Sequence, residues 1–241
     1  MSPKKVALVS ADNERTQKQL AEFQRLVAEV GPDAEVVWVN SEQPEADLVA
    51  ELQDTVAILH GYAAKLSVDV MKQVPTVKLV QTMSAGTDYV DKPGLHAIGI
   101  GVANNGGGNA VAVAEHAIWL MIAVYRRLDE QIRDTASGLW SQNVAPHREE
   151  AHDLSEKTVG IVGLGRIGSR VARRLQGWEC KVVYYDVIEF SKEYEDELEV
   201  ERVSFDQLVA MSDVITLHTP LEPTTKHLMS TNEFKADRKS V

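Results

Sequence analysis

The chain has 241 residues, 44% of them apolar and 25% charged, with a formal net charge of −11. This is the composition of a globular protein with enough apolar material for two modest domains or one large one. A single cysteine, Cys180, excludes a disulfide scaffold or a cysteine-based zinc cluster, and the acidic balance argues against nucleic acid, whose phosphates such a surface repels.

At the start, Met-Ser-Pro-Lys-Lys precedes Val6 to Val9, an apolar run too short for a signal peptide, so cytoplasm is the expected location. Lys5 to Ser10 reads as a strand. Thr16 to Val30 reads as a helix, with Leu20, Phe23, Leu26, Val27 and Val30 on one face. Strands are then predicted at Glu35 to Val39, Thr55 to Leu59, Val77 to Thr82 and Gly99 to Ala103, with helical or polar segments at Pro44 to Gln53 and Ser67 to Gln73. Repeated alternation of strand and helix means a parallel α/β domain. Asn109 to about Leu128 is helical, with Val111, Ala114, Ile118, Met121, Ile122 and Tyr125 on one stripe and further apolar residues off it. Such a helix needs cover on several sides, as a connector between domains or at a subunit interface. It is short for a bilayer and carries Glu115 and His116, so no membrane association is expected. Asp129 to Asp153 reads as a short helix plus an irregular link. The acidic stretch from 189 to 201, where seven carboxylates face only Lys192, reads as a solvated face.

A second alternation begins at Thr158 and carries the chemistry. Thr158 to Val162 is a strand, Gly163-Leu164-Gly165-Arg166-Ile167-Gly168 follows at once, a helix runs from Arg166 to about Gln176, and a second strand, Lys181 to Tyr185, ends at Asp186. Gly163 permits a tight turn, Gly165 lets the backbone approach a pyrophosphate, and Gly168 lets the helix pack on the strand. The helix N-terminus offers free N–H groups and a positive dipole end to phosphates. Asp186, eighteen residues after Gly168, suits the two hydroxyls of an adenosine ribose and repels a 2′-phosphate. Val187 and Ile188 supply no arginine to welcome one, so the expected cofactor is NAD rather than NADP.

Residues 154–168 resemble the cofactor motif of the D-isomer-specific 2-hydroxyacid dehydrogenases, and three further segments agree in order: residues 80–91 with the family's substrate loop, 109–116 with the start of its interdomain helix, and 217–221 with Thr225 for the loop over the cofactor. Glu156 stands where the family usually has glycine, at a surface turn. The resemblance implies a flavodoxin-like N-terminal domain (1–104) on the substrate side, an interdomain helix (105–128) and a Rossmann-type, doubly wound parallel-sheet domain (129–241) incomplete at its C-terminus. It implies that backbone N–H groups of Ser84, Ala85 and Gly86 hold the carboxylate of a small 2-keto or 2-hydroxy acid, with Asn109 near substrate and nicotinamide. Asn109 equally suits a helix N-cap, and one side chain can do both. Arg166 and Ile167 match positions against the pyrophosphate, and His218, Thr219, Pro220 and Thr225 match the wall around the adenosine. A homodimer is also implied.

Glu115 and His116 are helix neighbours about a hundred degrees apart, which prevents them from sharing one proton-transfer site. His60, His96, His147, His152 and His227 show no metal-ligand spacing. The family's catalytic arginine, histidine and glutamate would follow the segment after Met229. The chain here runs from Ser230 to Val241 in a polar stretch whose only arginine, Arg238, falls too early and has no preceding strand. The loss of pattern after Phe234 reads as a truncated or frame-disrupted copy of a longer gene, leaving the strand Val214 to Leu217 as an unpaired hydrophobic edge or in need of a partner chain. No residue is assigned a catalytic role. Two functions stay open: an NAD-dependent oxidoreductase on small D-2-hydroxy acids, and a non-catalytic NAD-binding or interaction protein derived from that family.

Overall fold

The computed structural model describes residues 3–31, 33–61, 64–139 and 150–237. The chain forms two compact units, Met1–Gly106 and Gly107–Val241. The first runs β1 (Lys4–Ser10), α1 (Glu14–Val30), β2 (Ala34–Asn40), α2 (Glu45–Leu52), β3 (Thr55–His60), α3 (Val68–Lys72), β4 (Leu79–Thr82), α4 (Lys92–Ala97) and β5 (Gly101–Ala103). Its strands are parallel, in the order β2-β1-β3-β4-β5, which is the flavodoxin-like arrangement. Ala7, Val9, Ile58 and Val80 of the sheet pack with Leu52, Met71 and Leu95 of the helices. The α1 helix has an N-cap in Asn13, whose side chain accepts from the Thr16 amide at 2.9 Å. Its apolar face is covered only in part, and Leu26 and Val30 remain exposed.

The second unit contains α5 (Ala110–Tyr125), α6 (Leu128–Ala136), β6 (Thr158–Val162), α7 (Gly168–Leu175), β7 (Lys181–Tyr185), α8 (Lys192–Leu198), β8 (Val200–Arg202), α9 (Phe205–Met211), β9 (Val214–Leu217) and α10 (Thr231–Ala236). The parallel order β8-β7-β6-β9 corresponds to strands 3-2-1-4 of a doubly wound Rossmann sheet. Side chains alternate across it. Val159, Ile161, Val182 and Tyr184 join Ala114 and Ile118 of α5 and Val171 and Leu175 of α7, whereas Val162 and Val183 join Leu208 of α9. Burial on both faces explains why these central strands read as near-continuous apolar runs.

Several expectations need correction. The stretch 189–201 is not only a solvated face: it folds into α8 and β8, buries Leu198 and Val200, and its carboxylates pair beyond Lys192, Glu197 with Arg173, Glu201 with Lys181 and Glu189 with Arg202. The polar stretch after Met229, expected without a strand, forms the short helix α10 with a capping box between Ser230 and Glu233. The α5 helix buries one stripe, Ala110, Ala114, Ile118 and Met121, while Val111, Trp119, Leu120 and Val124 stay exposed. The helix after the glycine turn begins at Gly168, two residues later than predicted. No described helix is long and apolar enough to cross a membrane.

Candidate functional site

In the first unit, β1, β3 and β4 end together around a cavity of about 430 Å³ lined by Ser10, Asn13, Arg15, Thr16, Gly61 and Ser84 among others. Because β1 connects to β2 on one side and lies against β3 on the other, the chain reverses its winding direction here, which opens a crevice at the carboxyl ends of the strands. The loop after β4 is held by its carbonyls. Ser84 O accepts from Thr82 Oγ1 at 2.8 Å and from the Asn105 amide at 3.1 Å, Ala85 O from Asn104 Nδ2 at 2.8 Å, and Gly86 O from Ser84 Oγ at 2.8 Å. The N–H groups of Ser84, Ala85 and Gly86 donate to no acceptor among the described residues. A loop with occupied carbonyls and open amides presents a nest for an anion. Tyr89 braces it, with its hydroxyl 2.8 Å from Ser84 Oγ and its ring 5.4 Å from the His60 ring. His60 is buried at the end of β3, and burial holds its pKa below the ordinary histidine value.

In the second unit, β6 leads straight into the glycine turn. Gly163 has φ 93°, a conformation disfavoured for any side chain, and a Cβ there would lie 3.1 Å from the backbone of His218. A Cβ on Gly168 would lie 2.0 Å from Gly163 O, whereas one on Gly165 would meet nothing within 4 Å. Gly163 and Gly168 therefore serve the protein's own packing, and Gly165 keeps open the space above the turn. The amides of Gly165, Arg166 and Ile167 donate to nothing among the described residues and precede the first turn of α7, as a pyrophosphate cradle requires.

Asp186 does more than was expected of it. Its Oδ2 accepts from the Leu164 amide at 2.7 Å and its Oδ1 from the Ile188 amide at 2.9 Å. The carboxylate thus ties the glycine turn to the end of β7 while keeping lone pairs for further donors. Arg166 is exposed, and its stem rests on Gly107, where a Cβ would come within 2.8 Å of Arg166 Cδ. Asn109 stands at the N-cap position of α5, but its side chain makes no capping hydrogen bond. Of the two sequence readings, the cap is not the one realised, and the exposed amide is left available.

His218, Thr219 and Pro220 follow β9. The His218 amide donates to Val162 O at 2.8 Å, its Nε2 lies 2.9 Å from Thr216 Oγ1, and burial lowers its pKa. Thr225 closes the segment as a turn, its Oγ1 donating to Pro220 O at 2.5 Å and accepting from the Glu222 amide at 2.9 Å. His147 and Arg238 lie outside the described residues, as do residues 140–149 of the link. No cluster of side chains suited to a metal ion occurs among the described residues. One neighbour of Asp186 was not anticipated: Arg202, from β8, donates through Nη2 to Asp186 O at 3.3 Å and through Nη1 to Glu189 at 2.5 Å.

A strand, an open glycine turn, a helix and an acid at the end of the next strand, set in a 3-2-1-4 parallel sheet, define a Rossmann-type dinucleotide-binding unit. Residues 118–241 match the model of the D-isomer specific 2-hydroxyacid dehydrogenase NAD binding domain. The chain is 32% identical over 198 residues to a glyoxylate reductase of Thermofilum pendens, covering 81% of this chain and 58% of that protein. It is 33% identical over 205 residues to a D-3-phosphoglycerate dehydrogenase of Archaeoglobus fulgidus, covering 85% and 38% respectively. Among solved structures, an NAD-dependent formate dehydrogenase from Staphylococcus aureus in complex with NAD superposes with a TM-score of 0.77 at 30% identity, over 97% of this chain and 70% of that one. The chain belongs to the D-isomer specific 2-hydroxyacid dehydrogenase family. It spans 58% and 38% of the two curated relatives it matches above.

Proposed function

We propose that this chain binds NAD on its second unit and a small 2-keto or 2-hydroxy acid on its first, as an NAD-dependent oxidoreductase acting on the CH–OH group of D-2-hydroxy acids. The observation that carries the reading is the state of the glycine turn: three open amides at Gly165, Arg166 and Ile167, space above Gly165, and Asp186 fixed beside them. In this reading the turn and the N-terminus of α7 hold the pyrophosphate, with Arg166 against it. Asp186 accepts from the adenosine ribose, and His218, Thr219, Pro220 and Thr225 form the wall of the adenosine pocket. NADH supplies the hydride. The open amides of Ser84, Ala85 and Gly86 fix the acid's carboxylate and so its orientation, and Asn109 contributes a polar contact near the reacting carbon. The functional division follows the family: 1–104 for substrate, 105–128 as connector, 129–241 for cofactor.

The same reading includes a homodimer. The exposed apolar side of α5, with Val111, Trp119, Leu120 and Val124, supports it, since apolar residues clustered on one helix are a typical contact surface between subunits. The test is an NADH titration of the purified chain followed by addition of glyoxylate or hydroxypyruvate, with saturable NADH binding expected. Consumption of NADH with equimolar formation of the D-2-hydroxy acid supports the oxidoreductase reading, and binding without consumption for any 2-keto acid offered favours a non-catalytic NAD-binding protein without the family's catalytic arginine, histidine and glutamate.

A further inference from the structure

Arg202, the last residue of β8, lies beside Asp186, the acid that follows β7. Its guanidinium is held against the backbone of Asp186 at 3.3 Å and against Glu189 at 2.5 Å. The Arg202 side chain is 33% exposed, and Glu189, which reaches across from three residues beyond Asp186, is 81% exposed. A guanidinium has five N–H donors, and these two bonds are the ones it makes among the described residues. The remaining acid near it, Glu195, is already engaged by the Tyr184 hydroxyl at 2.7 Å and by Lys192 at 3.7 Å. The close charge partner of Arg202 is therefore Glu189.

We propose that Glu189 and Arg202 are cofactor-specificity residues: Glu189 occupies and neutralises the Arg202 guanidinium beside the ribose acid, so that a 2′-phosphate meets two carboxylates and a spent cation. The proposal rests on the reading that Asp186 faces the adenosine ribose. With Asp186, Glu189 and Arg202 all charged, the ribose end carries one net negative charge, which opposes a phosphate dianion and leaves neutral hydroxyls untouched. Glu189→Gln brings that balance to zero and frees the fork of Arg202, whose planar donors fit a phosphate in bidentate fashion. Glu189→Gln together with Asp186→Ser makes it positive. Arg202→Ala in the Glu189→Gln background returns the balance to minus one and removes the gain. Because Glu189 lies on the surface and Gln preserves its shape, Glu189→Gln is expected to leave the fold unchanged, and circular dichroism and thermal melts check each variant.

The experiment is a pair of fluorescence titrations, NADH and NADPH, on the full chain and each variant at low salt. Glu189→Gln is expected to raise the NADPH-to-NADH affinity ratio by about five- to tenfold, the order expected for removing one like charge near a phosphate in a partly solvated site. Arg202→Ala in that background should return the ratio to its starting value, and Glu189→Asp should leave it within about twofold. The gain should shrink as salt rises. NADH binding with a ratio unmoved by Glu189→Gln, or a gain that survives Arg202→Ala, overturns the proposal alone. Failure of the unaltered chain to bind NADH overturns the dinucleotide reading, and this proposal with it.

Discussion

Glu156 shows how a single residue can depart from a family pattern at a physical cost. It occupies the left-handed region with φ 60°, in the tight turn before β6 where its amide donates to Glu179 O at 2.9 Å. Relatives of this motif usually carry glycine there, and the positive φ supplies the reason, since a side chain in that conformation costs about 1 kcal/mol. Glu156→Gly is expected to stabilise the chain by about 1 kcal/mol, read as a higher urea midpoint with an unchanged slope; a lower midpoint would contradict the account of this turn. Other residue roles were less legible. The glycine spacing announced a phosphate turn, but nothing in it showed that Asp186 also anchors the Leu164 amide. Arg202 is drawn to Asp186 by the register of β8 beside β7, a relation that only the folded sheet creates.

At the scale of elements, the strands were the most readable part. β6, β7 and β9 lie at the predicted positions because buried parallel strands require unbroken apolar runs. The elements that sequence reading missed share a different cause. α8 and β8 hide in a dense run of carboxylates, and their apolar signal reduces to Leu198 and Val200. α4 contains Pro93 and Gly94 and looks like a turn, yet Asp91 caps it by accepting from the Gly94 amide at 2.9 Å, and proline is compatible with a first helical turn. The start of α7 packs tightly against the glycine turn that follows β6. Gly168→Ala places a methyl 2.0 Å from Gly163 O, a backbone atom with no rotamer to yield. The variant is expected to lose about 2–3 kcal/mol of stability and to bind NADH less tightly, because α7 must move away from the turn whose amides it aligns. A chemical denaturation curve and an NADH titration on the same preparation check both effects, and an unchanged midpoint would refute the close-packing role of Gly168.

For the molecule as a whole, the alternation of strand and helix was enough to give two parallel α/β sheets. The strand orders were not carried by periodicity, because order depends on which faces meet, and the resemblance of residues 80 to 225 to one family supplied that information. The candidate site was legible as two loops, residues 84–86 and 163–168, whose small residues leave amides uncovered. What could not be read was how each loop is held in place: by Thr82, Asn104 and Asn105 in the first unit, and by Asp186 in the second. The central claim is that the second unit binds NAD with Asp186 at the ribose. The most direct measurement is an NADH fluorescence titration of the full chain beside Asp186→Ala. Saturable binding is predicted, weakened about tenfold or more in the variant, because a charged acceptor is lost from the ribose and from the buried Leu164 amide. No saturable binding, or equal affinity in the two proteins, would contradict it.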